Sequence, residues 1–266
     1  MSAIESGPVS DALIITWRNL KRIPRIPELA IFAILQSIMF VLLFAFVFGG
    51  AIPLPDGGNY KEFLMPGIFV QTIAFASATT AIGMADDMGK GLIDRFRSLP
   101  MARSAVLTGR TAADVIYQAG ILVVLMLAGL AVGWRVNNGL EKFLLAVVLL
   151  LAFAYVMAWI GVWIGLAVPN TETAQQLTFV TIFPLTFISN VFVPPESLPA
   201  LLQPIAEWNP VSTLTASCRE LFGNPNPNIG DGFPSQYPIL VTIGWSILLI
   251  AIFAPLAVRK YRNTSR

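Results

Sequence analysis

Histidine is absent from the 266 residues, cysteine occurs once, as Cys218, and only 12% of the chain is charged. The missing histidine removes the commonest general base near neutral pH. A lone cysteine cannot close an internal disulfide, and no cysteine or histidine cluster exists to hold zinc or haem. No catalytic residue, no metal site and no cofactor is therefore expected in this chain. Soluble domains carry about 25% charged residues, so a chain this poor in charge cannot coat a water-soluble globule. The net charge is only +2, and no nucleic-acid partner is expected. The first ten residues lack the basic stretch and apolar run of a cleavable signal peptide, so the first apolar run is expected to stay as an anchor.

What fills the chain instead is apolar surface. Hydrophobic residues make up 56% and the mean hydropathy is +0.72, values that call for a bilayer as solvent. The reading is an all-α integral membrane protein with six transmembrane helices within residues 28–258. The spans fall at about 29–48, 63–85, 112–134, 143–168, 174–193 and 237–258, each long enough to cross roughly 30 Å of hydrocarbon at about 1.5 Å per residue. In the first, fourteen of twenty residues are Leu, Ile, Phe or Val, and only Gln36 and Ser37 are clearly polar. Those fourteen contribute about 4–8 kcal/mol toward insertion. The second is weakened by Gln71, Ser77, Thr79 and Thr80, and Pro184 is expected to kink the fifth.

Lys and Arg set the orientation. Six spans gather thirteen of them on one side: Arg18, Lys21, Arg22, Arg25, Lys90, Arg95, Arg97, Arg103, Arg110, Arg259, Lys260, Arg262 and Arg266. The other side holds Lys61, Arg135, Lys142 and Arg219. That bias places both termini, including the basic tail 259–266, in the cytoplasm.

Between the spans, four segments carry information. Within residues 1–27, Val9, Leu13, Trp17 and Leu20 recur at helical spacing with Asp11, Arg18, Lys21 and Arg22 on other faces, which fits an amphipathic helix in the interface; a plain positive-inside anchor accounts for them equally well. The loop at about 87–100 mixes both signs of charge with Leu92, Ile93, Phe96 and Leu99 at helical spacing. It reads either as a short surface helix able to dock in a partner's groove or as a solvated turn. Gly83 and Gly89-Lys90 do not make a phosphate-binding loop, because the spacing from Gly83 demands Gly at 88, where Met88 stands, and Gly91 replaces the required Ser or Thr. The stretch at about 194–223 holds two apolar half-helices, 198–208 and 211–222, separated by Asn209-Pro210, too short to span and best read as a re-entrant or interface hairpin. Gly129-x-x-x-Gly133 and Gly161-x-x-x-Gly165 are expected to serve close helix packing within the chain. Asp114, about two residues into the third span, is expected to be held near the interface by snorkelling rather than to relay protons.

These segments resemble the type-2 ABC exporter permeases, and within them the daunorubicin-resistance branch. The likeness rests on Trp17-Arg18-Asn19-Leu20-Lys21-Arg22 with Arg25 and Pro27, and on Phe63-Leu64-Met65-Pro66-Gly67. It rests further on Asp86-Asp87 with Asp94-Arg95-Phe96-Arg97-Ser98-Leu99-Pro100, and on Phe192-Val193-Pro194-Pro195-Glu196 with Leu198-Pro199, Asn209-Pro210 and Arg219. The resemblance implies a permease in the bacterial inner membrane, paired with a second copy or a similar permease and carrying two cytoplasmic ATPase subunits that bind the ATP and Mg. It implies an interface helix with Trp17, Arg18, Arg22 and Arg25. It implies a coupling helix at about 87–100, with Asp86, Asp87, Lys90, Leu92, Asp94, Arg95, Phe96, Arg97, Leu99 and Pro100 as the ATPase contact. A cargo path along spans one, two and five would be lined by Gln71, Phe75, Thr79, Phe183, Thr186 and Asn190. The cargo expected of such a path is an amphipathic drug or lipid-like molecule.

The chief rival is an ion-coupled secondary transporter. That class places an ionisable residue at the bilayer midplane, and no span here carries Asp, Glu, Lys or Arg near its centre. A membrane enzyme would need paired acids, a metal or an activated nucleophile, and the spans supply none.

Overall fold

The computed structural model describes residues 7–22, 27–48, 54, 59–91, 103–194, 197–227 and 232–263, and among these all regular structure is helical. The helices are α1 Pro8–Arg22, α2 Pro27–Leu42, α3 Tyr60–Gly89, α4 Arg103–Val132, α5 Gly139–Ala167, α6 Thr171–Phe187, α7 Gln203–Trp208, α8 Pro210–Phe222, α9 Phe233–Gln236 and α10 Pro238–Asn263. α2 runs on as a π-helical stretch, Leu43–Phe48. Among the described residues, four helices are long and apolar enough to cross a membrane: α3, Ala105–Val132 of α4, α5 and α10. Their outward faces are apolar, with Val123 and Leu127 of α4, Leu144 and Val148 of α5, and Leu240 and Ile247 of α10 all exposed. Side chains of this kind face lipid at no cost and would aggregate in water.

α3 is the central helix. Asn59 caps it by accepting the Lys61 N–H at 3.0 Å, and every residue from Phe63 to Val70 is buried. α5 lies along it because two glycines let the backbones meet. A Cβ on Gly161 would stand 2.5 Å from the Ser77 carbonyl oxygen, and one on Gly165 2.5 Å from that of Ala81. The first glycine pair behaves differently. Gly129 makes room for Met65 of α3, whereas Gly133 has a φ of +110° and ends α4, so only one of its members packs.

The fifth predicted span stops early. α6 ends at Phe187, three residues after Pro184, and the chain turns back over the start of α3. Tyr60 donates its hydroxyl to the Phe192 carbonyl at 2.9 Å, and the absent side chain of Gly67 lets the Val191 carbonyl approach. The two half-helices expected at 198–208 and 211–222 appear as α7, helical over 203–208, and α8. Asn209 joins the pieces: its side chain accepts the Val211 N–H at 2.8 Å and donates to the carbonyls of Leu185 and Ile188 at 2.7 Å each. Asn209→Ala removes a helix cap and two buried bonds and is expected to cost about 1–3 kcal/mol. A lowered unfolding midpoint in detergent would show it, with Asn209→Asp, which keeps the cap acceptor, falling in between.

Arg219 of α8, counted by sequence among the four charges opposite the cytoplasmic side, is fully buried. Its Nε donates to the Phe63 carbonyl at 2.8 Å, its Nη2 to those of Asn190 and Val191 at 2.9 and 3.2 Å, and its guanidinium lies 3.6 Å from the centre of the Phe63 ring. Phe69, Trp134 and Phe222 meet edge to face beside it, and the indole of Trp134 donates to the Asn224 side chain at 2.8 Å. These contacts seat α8 among α3, α5 and α10 at one end of the bundle.

α1 packs against α4 at the opposite end. The Thr16 hydroxyl donates to the Gly109 carbonyl at 3.0 Å, and a Cβ on Gly109 would meet the Ala12 carbonyl oxygen at 2.6 Å. The buried face is thus Asp11, Ile15 and Thr16, whereas Leu13 and Trp17 of the predicted apolar stripe point outward. Leu20 of the same stripe is half-buried.

Candidate functional site

Between α2, α3, α4 and α6 lies a cavity of about 440 Å³, within the range of about 300–1,000 Å³ typical of small-molecule sites. Each of the four helices contributes one glutamine: Gln36, Gln71, Gln118 and Gln175. Ser37, Thr72, Thr79 and Tyr117 add hydroxyls, and Phe40, Phe75, Phe179, Phe183 and Phe187 add ring faces. No Asp, Glu, Lys or Arg is among the described lining residues.

The wall is built from ordinary helix geometry. Gln71, Phe75, Thr79 and Ile82 recur at three- and four-residue spacing and so share one face of α3. Phe179, Phe183 and Phe187 do the same on α6. Phe75 and Phe179 face each other with centroids 5.4 Å apart, and Phe183 stacks on Phe187 at 4.3 Å. The ladder continues from Phe187 through Phe192 to Phe44. α2 is held to α3 by the hydroxyls of Ser37 and Thr72, 3.4 Å apart. Gln118 is buried, and its Oε1 has no hydrogen-bond partner among the described residues. A second, apolar groove formed by Leu35, Met39, Leu42, Leu43 and Val47 on the outside of α2 shares Gln36 and Phe40 with the cavity.

Four of the six residues placed on a cargo path by sequence, Gln71, Phe75, Thr79 and Phe183, line this cavity. Thr186 and Asn190 do not. The Thr186 hydroxyl bonds back to the Ile182 carbonyl, and Asn190 sits under α8, its backbone N–H bonded to the Ser212 hydroxyl at 3.2 Å. Gln36, Gln118 and Gln175 were missed. Amides spaced singly on four separate helices leave no local pattern, and only their odd polarity within apolar runs marked them.

At the α1 end of the bundle, Asp86, Asp87 and Gly89 prolong α3 past its predicted end. They therefore do not open a separate coupling helix. Asp86 accepts the Lys90 ammonium at 2.7 Å on the surface. Asp87 is buried and paired with Arg110 of α4. Asp114, one turn further along α4, accepts the Thr80 hydroxyl at 2.8 Å and lies 4.0 Å from Arg110 Nε. It is thus bound across to α3. Leu92, Asp94, Arg95, Phe96, Arg97, Leu99 and Pro100 lie outside the described residues, as does Arg25. Trp17 and Arg18 are exposed on α1, with the Lys21 ammonium 5.1 Å above the Trp17 ring. Arg22 is the last residue of that helix.

Comparison with known proteins decides the family. The model of the ABC-2 type transporter matches residues 11–222. The chain belongs to the ABC-2 type transporter family. This permease is 31% identical over 255 residues to the daunorubicin resistance ABC transporter permease protein DrrB1 of Streptomyces coeruleorubidus, covering 96% of this chain and 87% of that one. It is 26% identical over 260 residues to the probable doxorubicin resistance ABC transporter permease protein DrrC of Mycobacterium tuberculosis, covering 97% and 90%. To the putative transport permease ycf38 of Cyanophora paradoxa it is 22% identical over 249 residues, covering 92% and 85%. The ABC-2 permease is accordingly a multi-pass membrane subunit of an ABC transporter.

Proposed function

We propose that this ABC-2 permease exports an amphipathic drug or lipid-like cargo through the four-helix cavity, powered by two copies of a separate cytoplasmic ATPase that bind the ATP and Mg. The observation that carries this reading is the lining: ring faces and amides with no fixed charge suit a molecule part aromatic or aliphatic and part hydrogen-bonding. Two relatives are named for daunorubicin and doxorubicin resistance, so these compounds are the first cargo to try. In this reading α2 with its π-helical continuation and α6 are the two remaining spans, giving six, with both termini in the cytoplasm of a bacterium. α1 lies in the interface with Trp17 and Arg18 toward the headgroups. A second permease copy, or a similar permease, completes the path. The coupling segment at about 87–100 meets the ATPase through Asp94, Arg95, Phe96 and Arg97. ATP binding draws the ATPase pair together, pushes on that segment and shifts the permease between two packings.

The test is purification in nanodiscs from the native host. A stoichiometric ATPase subunit, lost when Arg95, Phe96 and Arg97 are all changed to alanine, is the expected result. Reversing charge at Asp94 or Arg97 is expected to leave hydrolysis but abolish its stimulation by doxorubicin. No ATPase after mild extraction, together with efflux that follows an imposed ion gradient, would instead establish the secondary transporter.

A further inference from the structure

One polar cluster, which ties α3 to α4, lies outside the cavity lining. On α3 and α4, Asp87, Arg110, Asp114 and Thr80 form a connected polar chain, with Asp87 and Thr80 buried and Arg110 and Asp114 partly buried. We infer that Arg110 is a positioning residue that links the cavity to the α3 end nearest the ATPase loop, through Asp87 on one side and through Asp114 and Thr80 on the other.

The arrangement connects two places. Asp87 stands on the last turn of α3, two residues before its end at Gly89. Thr80 is the neighbour of Thr79, which lines the cavity, and Gln118, which also lines it, follows Asp114 by one turn on α4. The Arg110 guanidinium lies between the two carboxylates, hydrogen-bonded to Asp87, with its Nε unsatisfied and 4.0 Å from Asp114. One arm of the fork is therefore made and the other is loose.

A largely buried guanidinium that is hydrogen-bonded to one carboxylate and 4.0 Å from a second can tighten toward either, and leaving both is disfavoured because a charge withdrawn from water needs a partner. That is the bistable element which coupling between sites requires. Gly83 fits the same reading. Any side chain there would overlap the Arg110 guanidinium, so glycine on α3 keeps open the space in which the group lies. α1 packs on Gly109, immediately before Arg110, and this backs α4 at the level of the cluster. A cargo that presses on Thr79 and Gln118 shifts α3 against α4, and Arg110 converts that shift into a change of partner at Asp87. The direction reverses when the ATPase moves the loop.

This inference rests on the ATP-driven reading above, and the test separates the two. An environment-sensitive fluorophore on Thr79→Cys reports the cavity in the full permease–ATPase complex in nanodiscs; native Cys218 is buried. ATP is added and the emission change recorded, with no cargo required. Asp114→Asn keeps the Asp87–Arg110 pair and an acceptor for Thr80 but removes the second carboxylate. The expected result is retained ATP hydrolysis with an emission change reduced at least about fivefold, the low end of ordinary coupling between sites. Arg110→Gln should do the same, and the triple reversal Asp87→Arg, Arg110→Asp, Asp114→Arg should recover part of the response. A purely structural cluster would lose assembly, not response, in these variants. An undiminished response in Asp114→Asn overturns the link and leaves the exporter reading standing. Silence to ATP in the otherwise unaltered labelled complex overturns both.

Discussion

Arg219→Ala is expected to leave the permease unable to hold its hairpin, with loss of most of the folded protein on extraction. Arg219 is fully buried, and its charge is met by three carbonyl oxygens and a ring face rather than by a carboxylate. Hydrogen bonds from a charged donor are each worth about 1.5–3 kcal/mol net. Removing this one leaves the carbonyls of Phe63, Asn190 and Val191 without that donor in an apolar setting. Proteins are stable by only about 5–15 kcal/mol in total, so losing three such bonds consumes much of that margin. Arg219→Lys retains the charge, but one ammonium cannot match a planar fork that reaches two chain segments at once. It should recover some of the loss and no more. The measurement is the unfolding midpoint in detergent, alongside the yield of monodisperse protein. Midpoints for both variants close to that of the unaltered permease would show that α8 is seated by its apolar side chains alone.

Gly161→Ala and Gly165→Ala are expected to force α3 and α5 apart, even though alanine is the best helix former. The added methyl of the first would meet the Ser77 carbonyl at 2.5 Å and the Thr80 Cβ at 2.8 Å; that of the second would meet the Ala81 carbonyl at 2.5 Å and the Met84 Cβ at 2.6 Å. Most of these atoms belong to backbone or stand next to it, so the strain is relieved only by moving a whole helix. Overpacking of this kind costs about 1–3 kcal/mol per site, against a helix-propensity gain of about 1 kcal/mol. The double variant should lose more stability than either single one. Its effect should also reach the cavity, because Thr80 touches Gly161 and its neighbour Thr79 lines the cavity wall. Gly120→Ala supplies the control: nothing lies within 4 Å of its added Cβ, and it should be neutral or slightly stabilising. Binding of a cavity probe and thermal unfolding, measured on all four proteins, separate a packing effect from a general intolerance of side chains at glycine.

Much of the fold was legible in the linear chain because apolar runs report their solvent directly. The cores of α3, α4, α5 and α10 lie where long stretches of Leu, Ile, Val and Phe predict them, and the hairpin breaks at Asn209-Pro210, where proline can only begin a new helix. Boundaries were less legible. α3 runs through Asp86 and Asp87 because Asp87 is neutralised by Arg110 from another helix, a partner no local window contains. α6 stops at Phe187 because the following backbone is drawn onto α3 by Tyr60 and Arg219. Four of the cavity-lining residues, Gln71, Phe75, Thr79 and Phe183, could be named from α3 and α6, where phenylalanine and polar residues share one helical face. The glutamines of α2 and α4 could not, since which helices become neighbours is decided by packing.

The sequence by itself determined that this protein lives in a bilayer, that it carries no histidine or cysteine chemistry, and which family its motifs resemble. Composition and short motifs are local properties, and the hydrophobic effect acts on them residue by residue. Only the tertiary structure decided what each rare polar residue does. It buried Arg219 under backbone carbonyls, gave Asp114 the Thr80 hydroxyl as a partner, made one glycine pair a packing surface and split the other, and gathered four glutamines into one cavity. In hydrocarbon a polar group must find its partner within the protein, and the partners here lie on helices far apart in the chain.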